Sequence, residues 1–143
     1  MPAARHTTRA SLGLILIAFV ACLGCGGSAT TVQGTVTFDG QPVDQGMIEF
    51  VPTDGTGPVA GGTIANGSYQ LGPETRVAPG NMLVRIRAMR PTGKKIKAGP
   101  PAPEGTMIDD VQQYIPAKYN EQSTLTAQLA AGEVRQNFDL RSP

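Results

Sequence analysis

The chain has 143 residues, enough for one domain and a short extra segment, and its 12 Lys and Arg nearly balance its 11 Asp and Glu. That balance gives no general pull toward nucleic acid. Gly 18 and Pro 12, about a fifth of the chain, with no Trp and 5% aromatics, argue against a helical protein and for many short strands around a core of Val, Ile, Leu and Met.

The N-terminus reads as an address. Arg5, His6 and Arg9 form a basic region, and Leu12 to Ala21 is an apolar run. Ser11 to Leu23 is too short for the ~20 residues of a spanning helix, so residues 1–24 are read as a secretory signal peptide outside the fold. The run ends in Cys22-Leu23-Gly24-Cys25-Gly26-Gly27-Ser28. Leu-Gly-Cys-Gly resembles the lipobox of bacterial lipoproteins, in which a small residue precedes the Cys that is acylated. Cys25 is the expected lipidation site, with Gly24 in the small position and residues 25–30 as a flexible tether. Cys22 stands where the lipobox usually has Leu and is the alternative site. Cleavage by ordinary signal peptidase after Ala21 or Gly24 is the competing reading. A Cys22–Cys25 disulfide would staple nothing. Removing Arg5 and Arg9 from the 12 basic residues leaves 10 against 11 acids in the mature chain.

Residues 31–142 form the predicted domain. Val32, Gly34, Val36 and Phe38 alternate with polar residues, the period-2 pattern of a half-buried strand. Asp39-Gly40-Gln41-Pro42 supplies turn chemistry, and Gly46 to Val51 resumes the strand with Ile48 and Phe50 on one face, so the pair reads as a hairpin. Thr53 to Pro58 is a loop. Val59 to Ala65 leads into Asn66-Gly67, a hairpin signal because a type I′ turn needs positive φ at both centres, and Ser68 to Leu71 returns. Asn81 to Arg90 alternates, with Met82, Val84, Ile86 and Ala88 inward and Leu83, Arg85 and Arg87 outward. Pro91 to Gly105 reads as a mobile excursion, Thr106 to Tyr114 as a short helical turn, and Tyr114 to Asn120 as a segment tucking its aromatics onto the core. Thr124 to Leu129 and Val134 to Leu140 close the fold, the latter with Val134, Gln136, Phe138 and Leu140 on one face. Seven short strands predict an all-β, antiparallel sandwich of transthyretin-like or immunoglobulin-like type.

The segments GTVTFDGQPVDQGMIEFVP, GGTIANGSYQL, APGNMLVRIRA and AGEVRQNFDL together resemble the carboxypeptidase regulatory-like domain family. The resemblance covers most of Val32–Leu140. It implies a small transthyretin-like or prealbumin-like β-sandwich, common in exported bacterial proteins, with no catalysis of its own. Relative to that compact core, Pro91–Asp110 looks like an insertion.

The residue inventory limits the chemistry. His6, the only histidine, lies in the predicted signal peptide, and a mature Cys25 would be acylated. A Ser-His or Cys-His nucleophile pair and a typical zinc site are therefore not expected in the mature chain, nor is a cofactor. A purine-pathway hydrolase of transthyretin-like fold relies on histidines that this chain lacks. Glu104 with Asp109 and Asp110 would suit Ca²⁺ or acid/base work, but adjacent acids in a polar loop read as solvated or helix-start residues. Asp39 and Asp44 read as turn residues with local backbone hydrogen bonds. Arg85, Arg87, Arg90, Lys94, Lys95 and Lys97 fall within 13 residues with no acid between them. They are the candidate anion-binding set, for an anionic polysaccharide, lipid headgroups beneath the anchor, or an acidic protein partner. No aromatics are interleaved, so single-stranded nucleic acid is not expected. The expectation is a membrane-anchored, non-catalytic binding or structural module of the cell envelope, exposed to periplasm or cell surface. Its partner would be an unknown envelope protein or polysaccharide. A carbohydrate-binding domain using Tyr69, Tyr114 and Tyr119 is the alternative.

Overall fold

Period-2 alternation becomes sheet throughout the structure, a computed structural model that describes residues 30–143. The predicted signal peptide, Cys22 and Cys25 lie outside the described residues. Ten strands follow in order: β1 (Thr31–Phe38), β2 (Gln41–Pro42), β3 (Gln45–Pro52), β4 (Ala60–Ala65), β5 (Ser68–Leu71), β6 (Gly80–Lys97), β7 (Met107–Gln113), β8 (Thr126–Leu129), β9 (Glu133–Arg135) and β10 (Phe138–Leu140). They form an all-β sandwich from one continuous hydrogen-bonded path, β10-β1-β5-β4-β3-β6-β7, with β2 and β9 added to β1 and β8 added to β6. Most pairings are antiparallel; β9 and β10 run parallel to β1. The excess over the seven predicted strands comes from β2, β7 and the division of the last strand into β9 and β10.

The core is made by the alternating residues. Val32, Val36, Leu71 and Leu140 from one half of the path meet Ile48, Phe50, Val84 and Ile86 from the other. The rings of Phe50, Tyr69 and Phe138 close the centre, with centroids 6.1 to 6.3 Å apart. Burying each of the large aliphatic or aromatic side chains contributes about 1.5–3 kcal/mol.

The predicted hairpin between the first two long strands does not form. Asp39 (φ 50°) and Gly40 (φ 79°) do make a tight turn, but it pairs β1 with the two residues of β2 only. The chain then crosses over, and β3 pairs with β4 and β6. Alternation fixes which face of a strand is buried, not which strand lies beside it. Asn66 (φ 49°) and Gly67 (φ 75°) make the predicted turn between β4 and β5. Asp39 is held over a long range, its Oδ1 accepting from the Ser142 N–H at 2.9 Å rather than from its own turn.

At Gly34 the edge of β1 changes partner from β9 to β10. Between those two strands Gln136 donates its N–H to the Gln33 carbonyl at 2.9 Å, and its own carbonyl accepts from the Tyr69 hydroxyl at 2.7 Å. The Asn137 side chain accepts from the Thr35 N–H at 3.0 Å. Burial pushes the Tyr69 phenol up, as expected for a hydroxyl held neutral in the core. A Cβ on Gly34 would collide with the Gln136 carbonyl, so glycine is required there by close approach of backbone. Gly34→Ala is expected to cost about 2 kcal/mol or more in urea unfolding. Gly40→Ala, whose positive φ is its only obstacle, should cost about 1 kcal/mol.

Candidate functional site

β6 serves two structures, the sandwich and a projection from it. Its first half is a rung-by-rung partner of β3, from Pro52–Met82 to Gly46–Ala88, and of β8 on its other side. β3 begins at Gln45, so from Met89 onward β6 pairs with β7 alone, and residues 89–113 form a two-stranded arm. Gln113 and Tyr114 attach it: Ala88 donates its N–H to the Gln113 Oε1 at 3.0 Å, and its carbonyl accepts from the Tyr114 N–H at 3.2 Å. This corrects two expectations. The excursion expected over Pro91 to Gly105 is strand as far as Lys97, and the helical turn expected over Thr106 to Tyr114 is β7. Pairing with a neighbour outweighed the local Pro, Gly and Asp signals.

The arm contains an irregularity that preserves its faces. Pro91 lies opposite Val111 and Lys95 opposite Asp109, four steps on β6 for two on β7. The excess is even, so side chains keep their sides across it. Thr92 stabilises the bulge, donating its hydroxyl to Asp110 Oδ2 at 2.9 Å and accepting from the Lys94 N–H at 3.3 Å. One face carries Met89, Pro91, Lys95 and Lys97 with Met107, Asp109 and Val111. The other carries Arg90 and Ile96 with Ile108, Asp110 and Gln112.

The predicted cationic set is thereby divided. Arg85 lies on the outer face opposite Glu49, its Nε buried with no hydrogen-bond partner, and Arg87 is exposed opposite Met47. Lys95 and Lys97 continue that face along a strand, not a loop. Lys95 is paired with Asp109 at 2.9 Å, both side chains more than half exposed. Lys94 sits in the bulge, and Arg90 turns to the opposite face with its guanidinium 5.0 Å from the Tyr114 ring centroid. Asp109 and Asp110 point to opposite faces, so with Glu104 they cannot surround one cation. Among the described residues no group of three or more His, Cys, Asp or Glu is placed to hold a metal ion.

The sequence reading missed the arm's apolar residues. Met89, Ile96, Met107, Ile108 and Val111 are each about half exposed. Val111 and the Ile96–Ile108 rung carry the signal, but the Pro- and Gly-rich context concealed it. Two open clefts share Met89 at the arm's base. One, about 580 Å³, is lined by Phe38, Pro42, Asp44, Met89, Arg90 and Tyr114. The other, about 510 Å³, is lined by Met47, Arg87, Met89, Gln113 and Glu121. Burial, with the Asp44 carboxylate, pushes the Tyr114 phenol up, against the pull of the Arg90 guanidinium. Tyr69 lies in the core, while Tyr119 is half-buried and accepts the Arg141 N–H through its hydroxyl at 3.1 Å.

The arm's edges are guarded. Ala88 turns its N–H and C=O toward the β7 side, so Met89 and Pro91 turn theirs to the open edge, where Pro91 supplies no N–H. The β7 edge carries Asp109 and Asp110, which oppose self-pairing. Contact is thus left to the faces and the end of the arm. Compared with protein-family models and with curated proteins, the chain matches none.

Because no core side chain belongs to the arm beyond Ala88, replacing residues 91–111 by Asn-Gly, which joins the opposed and mutually facing Arg90 and Gln112, should change the stability of the sandwich by less than about 1 kcal/mol in urea unfolding.

Proposed function

We propose that the chain is an exported lipoprotein of the cell envelope, a non-catalytic β-sandwich of carboxypeptidase regulatory-like type that works by binding. Acylated Cys25, with Cys22 as the alternative, holds it to a membrane. The arm and the clefts at its base meet the partner, an envelope protein or polysaccharide.

The observation that carries this reading is the arm. Five large apolar side chains remain about half in water on a structure that the core does not need. Grouped exposure of this kind marks interaction surfaces. Met89, between the two clefts, brings an adaptable thioether side chain suited to such contacts. The Leu-Gly-Cys-Gly sequence supports the anchor, and each acyl CH₂ buried adds ~0.8 kcal/mol, so that several chains make attachment stable.

Carbohydrate binding is a second reading, favoured by Tyr114 alone, whose ring lines the larger cleft beside Arg90.

Mass spectrometry of the mature N-terminus tests the anchor. The expected chain begins at Cys25 with acyl chains on it. A mature chain with an unmodified N-terminus would remove membrane attachment from the account.

A further inference from the structure

The end of the arm has a chemistry distinct from its base. Two successive rungs, Ile96–Ile108 and Lys97–Met107, place three large aliphatic side chains at 46–49% exposure. Lys95 and Lys97 share the face of Met107 and Val111, while Ile96 and Ile108 stand on the opposite face, and of Lys94, Lys95 and Lys97 only Lys95 has an ion-pair partner among the described residues. The connecting residues 98–106 add Ala98, Pro100, Pro101, Ala102 and Pro103, with one acid, Glu104. Residues 89–113 contain no Phe, Tyr or Trp, so the rings on which sugars stack are missing. A face that carries Met107 and Val111 beside Lys95 and Lys97 matches the interface of an anionic bilayer, where the ammonium groups meet headgroup phosphates and the apolar groups enter the acyl boundary.

The fold also says where this end lies relative to the anchor. Thr30 is buried and bridges to Val77, close to the start of β6. The arm end is 17 residues further along β6, two of them taken up by the bulge, which leaves roughly 50 Å at ~3.3 Å per residue. The five residues from Cys25 to Thr30 span at most ~18 Å. Anchor and arm end can meet one bilayer only if β6 lies along it.

We propose that the end of the arm is a second membrane contact, in which Lys95 and Lys97 with Met107 and Val111, all on one face, rest on anionic phospholipid and lay the sandwich along the bilayer. This rests on the membrane-anchored reading above. Anchoring raises the local concentration of lipid at the arm, so that a contact too weak to recruit the protein alone is still occupied. The cleft lined by Arg90 and Tyr114 stays available to the partner.

The test replaces the acyl group, so that it does not depend on Cys25. Residues 26–143, which contain every element of the fold, carry an N-terminal hexahistidine and are held on phosphatidylcholine vesicles containing nickel-chelating lipid. Ala102→Cys, the only cysteine in that chain, carries a fluorophore, and quenching by nitroxide-labelled lipid reads its depth. Strong quenching is expected when phosphatidylglycerol is included. It should fall by at least half in Lys95→Ala/Lys97→Ala, in Met107→Ser/Val111→Ser, and at high salt, with the circular dichroism unchanged. No quenching on phosphatidylglycerol vesicles would overturn the proposal, and the arm would then stand away from the bilayer. Quenching unaffected by both double variants would overturn it as well. Failure here with acylated Cys25 found by mass spectrometry rejects the second contact alone.

Discussion

Seven consecutive rungs join β3 to β6, and alternate rungs of that ladder place Ile48 opposite Ile86 and Phe50 opposite Val84 in the centre of the core. Everything else is arranged around this pairing. It joins the two halves of the path, since β4 and β5 lead from β3 back to β1 while β8 and β7 hang from β6. Its length is set by β3, which begins at Gln45. β6 is longer than its partner, and the excess strand is the arm. The candidate surface is therefore a consequence of a mismatch in strand length, not a separate element attached to the fold.

Two environments along one strand explain the residues found there. Up to Ala88, β6 alternates strictly because one face is sealed against Phe50 and Ile48. Beyond Ala88 neither face is sealed, and the alternation gives way to Met89, Pro91, Thr92 and a run of lysines. The arm keeps its hydrogen bonds through β7 and its shape through the Thr92–Asp110 bond, while Pro91, Asp109 and the lysines discourage addition of further strands. An exposed ion pair such as Lys95–Asp109 adds little stability, typically below about 1 kcal/mol. Its more evident effect is to keep charge on a ribbon that also exposes Ile96 and Ile108.

Much of the sandwich was legible in the sequence, and the reasons for success and failure are physical. Val32, Val36, Ile48, Phe50, Val84 and Ile86 were identified as inward-facing because a half-buried strand enforces period 2. Asn66-Gly67 was legible because few dipeptides accept positive φ twice. The partner of β1 was not, since nothing local distinguishes a neighbour made by a hairpin from one made by a crossover. The arm is not legible for a related reason: a ribbon exposed on both faces has no alternation to show, and Asp109-Asp110 resembles a helix start in the absence of its strand partner. The cationic residues were found, but their division between two faces required the register.

β6 is one strand in two mechanical regimes, fixed in the sandwich and separable in the arm. Native-state hydrogen exchange reads this directly. The Val84 amide, bonded to the Leu125 carbonyl at 2.7 Å inside the sandwich, should exchange only through global unfolding. The Ala98 amide, bonded to the Thr106 carbonyl at 2.8 Å at the arm's end, should exchange through local opening, orders of magnitude faster. Equal protection of the two amides, both shifting together with denaturant, would contradict it, because the arm would then be part of the cooperative core.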